Sequence, residues 1–187
     1  MAEQGDAKAQ AALGGMYYYG QGAAKDEAEG AKWIRKAAEQ GLAGAQVVLG
    51  HIYDTGQGAT KNEVEAAHWF RKAAEQGQPN AQYSLGSMYA NGQGVTKDDV
   101  EAVKWWRKAA EQELADAQSS LAYMYSIGRG IAKNEAEAAK WYIKAAEQGD
   151  AGAQNNLAGM YFAGQGVAKD PTEALKWLLP TFVWVAG

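Results

Sequence analysis

Tryptophan recurs every 36 residues along this chain, at Trp33, Trp69, Trp105, Trp141 and Trp177. The same spacing carries Gln10, Gln46, Gln82, Gln118 and Gln154, then Leu13, Leu49, Leu85, Leu121 and Leu157, then Tyr17, Tyr53, Tyr89, Tyr125 and Tyr161. No insertion or deletion interrupts five copies. A strict period of this length marks a repeat architecture, in which each unit buries its apolar face only by stacking on its neighbours.

Within one copy, Ala9, Leu13, Met16, Tyr17 and Gly20 follow one helical face, and Gly30, Trp33 and Ala37 do so again after a loop. Each copy therefore reads as two helices. Asp26, Asn62, Asp98, Asn134 and Asp170 start the second helix, each followed three residues later by Glu. This is a capping-box pattern, worth about 1 kcal/mol per cap. Pro79 and Pro171 suit first helical turns, where no amide donor is needed. Between the helices lies Gly20-Gln21-Gly22 and its four counterparts, which predict turns with positive φ beginning at a helix C-cap. Gly5, Gly41, Gly77 and Gly149 predict the same between copies, and Glu113 breaks that series. A strained turn or a differently shaped junction is expected there. Gly14, Gly50, Gly86, Ala122 and Ala158 beside the repeated Leu leave room for close helix approach.

The expected fold class is all-α: a right-handed α-solenoid of five 36-residue helix-turn-helix repeats, an α/α superhelix. Residues 1–187 read as a single repeat domain, with units near 6–41, 42–77, 78–113, 114–149 and 150–180 and an apolar stretch over 181–187. Hydrophobic residues make up 47% of the 187, enough for a sizeable core. With no cysteine, neither disulfides nor thiolate metal sites are available. A net charge of -4, from 22 acids and 18 bases without long runs, offers no footprint for nucleic acid and no polybasic anchor. No stretch approaches the roughly 18 apolar residues that insertion in a membrane needs, and Met1 to Asp6 lack the features of a signal peptide. The chain as given is expected to be soluble, with its compartment unknown. It would be cytoplasmic as it stands, or periplasmic or secreted if an upstream segment has been removed.

The run Ala81-Gln82-Tyr83-Ser84-Leu85-Gly86-Ser87-Met88-Tyr89, followed by Glu101-Ala102-Val103-Lys104-Trp105-Trp106-Arg107-Lys108-Ala109, resembles the Sel-one-like repeat (SLR), a relative of the tetratricopeptide repeat. The resemblance covers about residues 2 to 179. It implies a superhelix that serves as an adaptor in protein assemblies, most often in bacteria. The cysteine-rich branch of the family staples its helix pairs with disulfides; without Cys, nothing of that carries over.

By the same resemblance, the first helix of each pair lines the concave face. The candidate ligand groove is then Tyr18, Tyr19, Val47, His51, Tyr83, Ser87, Asn91, Tyr123, Ile127, Asn155 and Phe162. Aromatic anchors flanked by Asn and Ser suit a peptide laid along a groove. A bland alternative makes several of them packing residues between repeats. Leu178, Leu179, Phe182 and Trp184 lie where a solenoid needs a polar cap, and are expected either to fold back or to self-associate, as in a homodimer through that segment.

Catalysis has little material. Only His51 and His68 exist, and no nucleophile or paired carboxylates stand out. The Gly-x-Gly loops followed by Lys25, Lys61, Lys97, Lys133 or Lys169 lack the glycine spacing of a P-loop and read as turns. The expectation is a protein-interaction scaffold that is not an enzyme and needs no cofactor or metal. Its alternatives are a small-molecule or glycan binder with an aromatic groove, and a self-assembling module.

Overall fold

The computed structural model describes residues 2–178, and among them the chain is all α-helical, without a strand. In order the helices are α1 (Ala7–Tyr19), α2 (Glu27–Glu39), α3 (Ala43–Thr55), α4 (Glu63–Glu75), α5 (Pro79–Asn91), α6 (Asp99–Glu111), α7 (Ala115–Ile127), α8 (Glu135–Glu147), α9 (Ala151–Ala163) and α10 (Pro171–Leu178). Of the self-association candidates only Leu178 is described; Leu179, Phe182 and Trp184, and with them the whole apolar stretch 181–187, lie outside the described residues.

Local chemistry sets the boundaries. Asp26 Oδ1 accepts from the Glu29 amide at 2.9 Å, and Asn62, Asn134 and Asp170 cap α4, α8 and α10 in the same way. The glutamate half of the capping box goes elsewhere. Glu29, Glu101, Glu137 and Glu173 instead accept from Lys32, Lys104, Lys140 and Lys176 three residues on. A lysine one turn ahead competes for the carboxylate, and such exposed pairs contribute only a few tenths of a kcal/mol each. At the other end, Gly20 caps α1 in the left-handed region, its amide bonded to the Met16 carbonyl. Glu113 takes φ 65°, the conformation its glycine counterparts hold, so the junction keeps its shape and carries strain.

The chain divides into two compact units, one through Asp98 and one from Asp99. In the first, α1 to α5 pack each on the next around Ile34, Leu49, Ile52, Phe70 and Leu85. Small residues set the approach: a methyl on Gly14 would stand 2.7 Å from Ile34 Cγ1, and one on Gly50 2.7 Å from the Phe70 ring. In the second, Ala122, Ala138, Ala139, Tyr142, Ala145, Ala146, Ala153, Leu157 and Met160 form one core cluster.

Three ladders of polar contacts recur with the repeat. Gln46, Gln118 and Gln154 each donate to an alanine carbonyl near the end of the preceding helix, at 3.1 to 3.2 Å, adding a second bond to the one that each carbonyl accepts from a backbone amide of the following turn. Arg35, Arg71 and Arg107 donate to the hydroxyls of Tyr53, Tyr89 and Tyr125. Lys36, Lys72, Lys108 and Lys144 stand over the rings of Trp33, Trp69, Trp105 and Trp141, with Nζ 4.0 to 4.7 Å from the centroids. The repeated Trp is thus core on one face and a cation platform on the other.

Candidate functional site

In the first unit, the candidate residues on α1, α3 and α5 are all at least partly accessible. Tyr18 and Tyr19 meet edge to face with centroids 5.1 Å apart, and the Tyr18 hydroxyl donates to Gln57 Oε1 at 3.4 Å. Burial, with Glu27 adding, raises the Tyr18 phenol above its ordinary value. His51 is exposed as a residue, yet its ring lies edge-on against Phe70 with centroids 4.8 Å apart. That desolvation, partly opposed by Asp54, holds its imidazole below the usual value. Val47 and Tyr83 are half-buried, the Ser87 hydroxyl donates to the Tyr83 carbonyl at 3.0 Å, and Asn91 is exposed.

The second unit brings two of its four candidates, Tyr123 and Asn155, into one cavity, and leaves Ile127 and Phe162 outside its lining. Tyr123 and Ser126 on α7, Tyr142 on α8, and Asn155 and Asn156 on α9 line a concavity of about 390 Å³ that opens to solvent, with Met160 at its base and the Lys133–Glu135 pair at its rim. Ile127 and Phe162 stand exposed on the same two helices.

Tyr142 is the residue that the reading of first helices missed, because it comes from a second helix. It occupies the position of Ile34, Phe70, Trp106 and Leu178, where only Tyr142 carries a hydroxyl. That odd polar member of an apolar column was the available signal. The Ser126 hydroxyl donates to the Tyr123 carbonyl at 2.8 Å, and the Ser126 and Asn156 side chains both stand within interaction range of the Tyr142 phenol. Burial pushes the Tyr142 phenol up to about 12, with the bond to Ser126 pulling the other way. The phenol is therefore neutral at any physiological pH and serves as a hydrogen-bonding group.

The concavity carries no spare cation, since Lys133 is held by Glu135 at 2.8 Å. Lys25 and Lys61 likewise pair with Glu27 and Glu63, as turn residues rather than phosphate ligands. Among the described residues, no group of three or more His, Cys, Asp or Glu is placed to hold a metal. None of the described helices is long and apolar enough to cross a membrane.

The chain resembles known proteins in repeat and in fold. The Sel1 repeat profile matches residues 7–42, 43–78, 79–114, 115–150 and 151–180. No curated protein matches the sequence. Among solved structures, a protective antigen of uropathogenic Escherichia coli strains displaying an SLR fold is 44% identical, with a TM-score of 0.91 over 94% of this chain. This chain spans 38% of that protein's length. A Sel1 repeat protein from Oxalobacter formigenes is 40% identical with a TM-score of 0.89, over 93% of this chain and 72% of that one. The cysteine-rich protein B of Helicobacter pylori is 28% identical with a TM-score of 0.52, over 65% of this chain and 87% of that one. Proteins built from such helical-solenoid repeats mediate protein–protein interactions. Five consecutive repeat matches and two structures at 40% identity or more leave one conclusion: the chain belongs to the Sel1 repeat family.

Proposed function

We propose that this chain is a non-catalytic scaffold that binds a peptide or protein segment on the exposed faces of its first helices. The observation that carries this is the Tyr123–Tyr142 concavity, where an exposed aromatic ring stands beside two asparagine side chains and a buried neutral phenol. An extended peptide has apolar side chains for the ring and a backbone donor and acceptor at every residue for the amides. The lack of a spare cation disfavours a C-terminal carboxylate as the anchor, so an internal segment fits better.

Selection of a displayed peptide library on the purified chain tests this. The expected result is an enriched motif whose synthetic peptide loses about tenfold or more in affinity for Tyr123→Ala. Failure to enrich, or affinity indifferent to Tyr123→Ala and Asn156→Ala, overturns the reading.

A second reading rests on the same ring. Tyr123, 51% exposed, presents a face on which a sugar stacks, with Asn155 and Asn156 to bond its hydroxyls. Binding on a glycan array, with none from the peptide library, would favour it.

A further inference from the structure

The packing of α8 on α9 shows how one helix pair joins the next: Ala139 and Tyr142 of α8 cluster with Ala153, Leu157 and Met160 of α9. Counting by 36 places Leu175 and Leu178 of α10 at the Ala139 and Tyr142 positions. Two steps of 36 more in the other direction, and two again, place Ala9, Leu13 and Met16 of α1 at those of Ala153, Leu157 and Met160.

Exposure at these matched positions differs sharply. Ala139 and Tyr142 are each 2% exposed, against 51% for Leu175 and 42% for Leu178. Met160 is 7% exposed, against 39% for Met16. Helix α10 thus presents the side of the junction that α8 uses, and α1 the side that α9 uses.

We propose that the Leu175 and Leu178 face of α10 binds the Leu13 and Met16 face of α1 in a second copy of the chain. The chemistry of the two faces matches. In the junction of α8 with α9, the Tyr142 hydroxyl finds Asn156. At the corresponding positions stand Leu178 and Ala12, both apolar, so neither side brings a polar group that the other leaves unpaired. The buried amide of α1 is also already met: Gln10 Nε2 donates to the Ala2 carbonyl at 3.1 Å, as Gln154 does to Ala146 at 3.1 Å. Docking therefore requires only apolar contact, using residues up to Leu178 of one copy. The contact joins different patches on the two copies, so each copy offers one of each and association continues past a pair unless a ring closes.

Sedimentation velocity of the full chain over a wide concentration range tests the proposal, with circular dichroism to confirm that each variant folds. The wild-type mass should rise with concentration, and Met16→Glu or Leu178→Glu should each weaken association about tenfold or more. An equimolar mixture of the two variants should form dimers, because one retains its α10 face and the other its α1 face. If Leu178→Glu fails to fold, Leu175→Gln at the more exposed position takes its place. A wild-type chain that stays monomeric throughout overturns the proposal, as does association that survives Met16→Glu or a mixture that stays monomeric.

Discussion

Gln148 Nε2 donates to Gln118 Oε1 at 2.8 Å, joining two side chains 30 residues apart in the sequence. Gln118 then donates to the Ala110 carbonyl at 3.2 Å, and it is buried. A glutamine in this place meets one helix's terminal carbonyl and one glutamine of the following helix at once. Gln118→Leu keeps the volume and strips both bonds, leaving the Ala110 carbonyl with only its bond from the Glu113 amide and the Gln148 side chain without its Gln118 acceptor. Stability should fall by about 1–3 kcal/mol. Urea denaturation with an unchanged slope would read this directly, and a neutral result would mean that water replaces both partners.

Glu113 holds a left-handed backbone with φ 65°. Glu113→Gly removes that strain at some cost in unfolded-state entropy, for a net gain of about 1 kcal/mol. A higher melting temperature is expected; a lower one would show that the Glu113 side chain contributes more than its backbone costs.

Gly94 faces a second constraint beyond its φ of 65°. A methyl there would collide with the Glu63 carbonyl oxygen, backbone that cannot swing aside. Its counterpart Gly22 has φ 79°, and a methyl would meet only the flexible tip of Met16, at 3.0 Å. Gly94→Ala should therefore destabilise clearly more than Gly22→Ala, whose cost is limited to strain of about 1–2 kcal/mol. Equal melting temperatures for the two variants would contradict the close approach of the loop to α4.

Tyr142 links stability to alkaline pH. Its folded value of about 12 lies above the ordinary 10.0, so below pH 10 the phenol is neutral in both states and its contribution is complete. Between pH 10 and 12 the unfolded chain ionises first, and stability falls as pH rises. Denaturation curves of wild type and Tyr142→Phe, followed across that window, should converge with rising pH. Parallel curves would show that the phenol ionises equally well when folded.

Much of the fold was legible in the sequence because its causes are local. Caps at Asp26, Asn62, Asn134 and Asp170, turns at Gly20 and its counterparts, and the apolar faces of the helices depend on residues three or four apart, which a period of 36 displays five times over. Gly14 and Gly50 also announced their role, since a missing side chain beside a repeated leucine has few other uses.

The candidate site was legible only in half. Tyr123 and Asn155 could be read from the helix they occupy, but Tyr142 reaches the same concavity from α8, a second helix that the reading of first helices did not include. Sequence alone likewise determined that Glu29 stands at a capping position, that Lys36 lies one turn beyond Trp33, and that Gln118 recurs. Only tertiary structure decided that Glu29 turns to Lys32, that Lys36 rests on the Trp33 ring, and that Gln118 meets Ala110 and Gln148. The physical reason is that a backbone pattern limits a polar side chain to a few rotamers. The choice among them falls to whichever partner the neighbouring helix brings within hydrogen-bond reach, and that partner is set by packing.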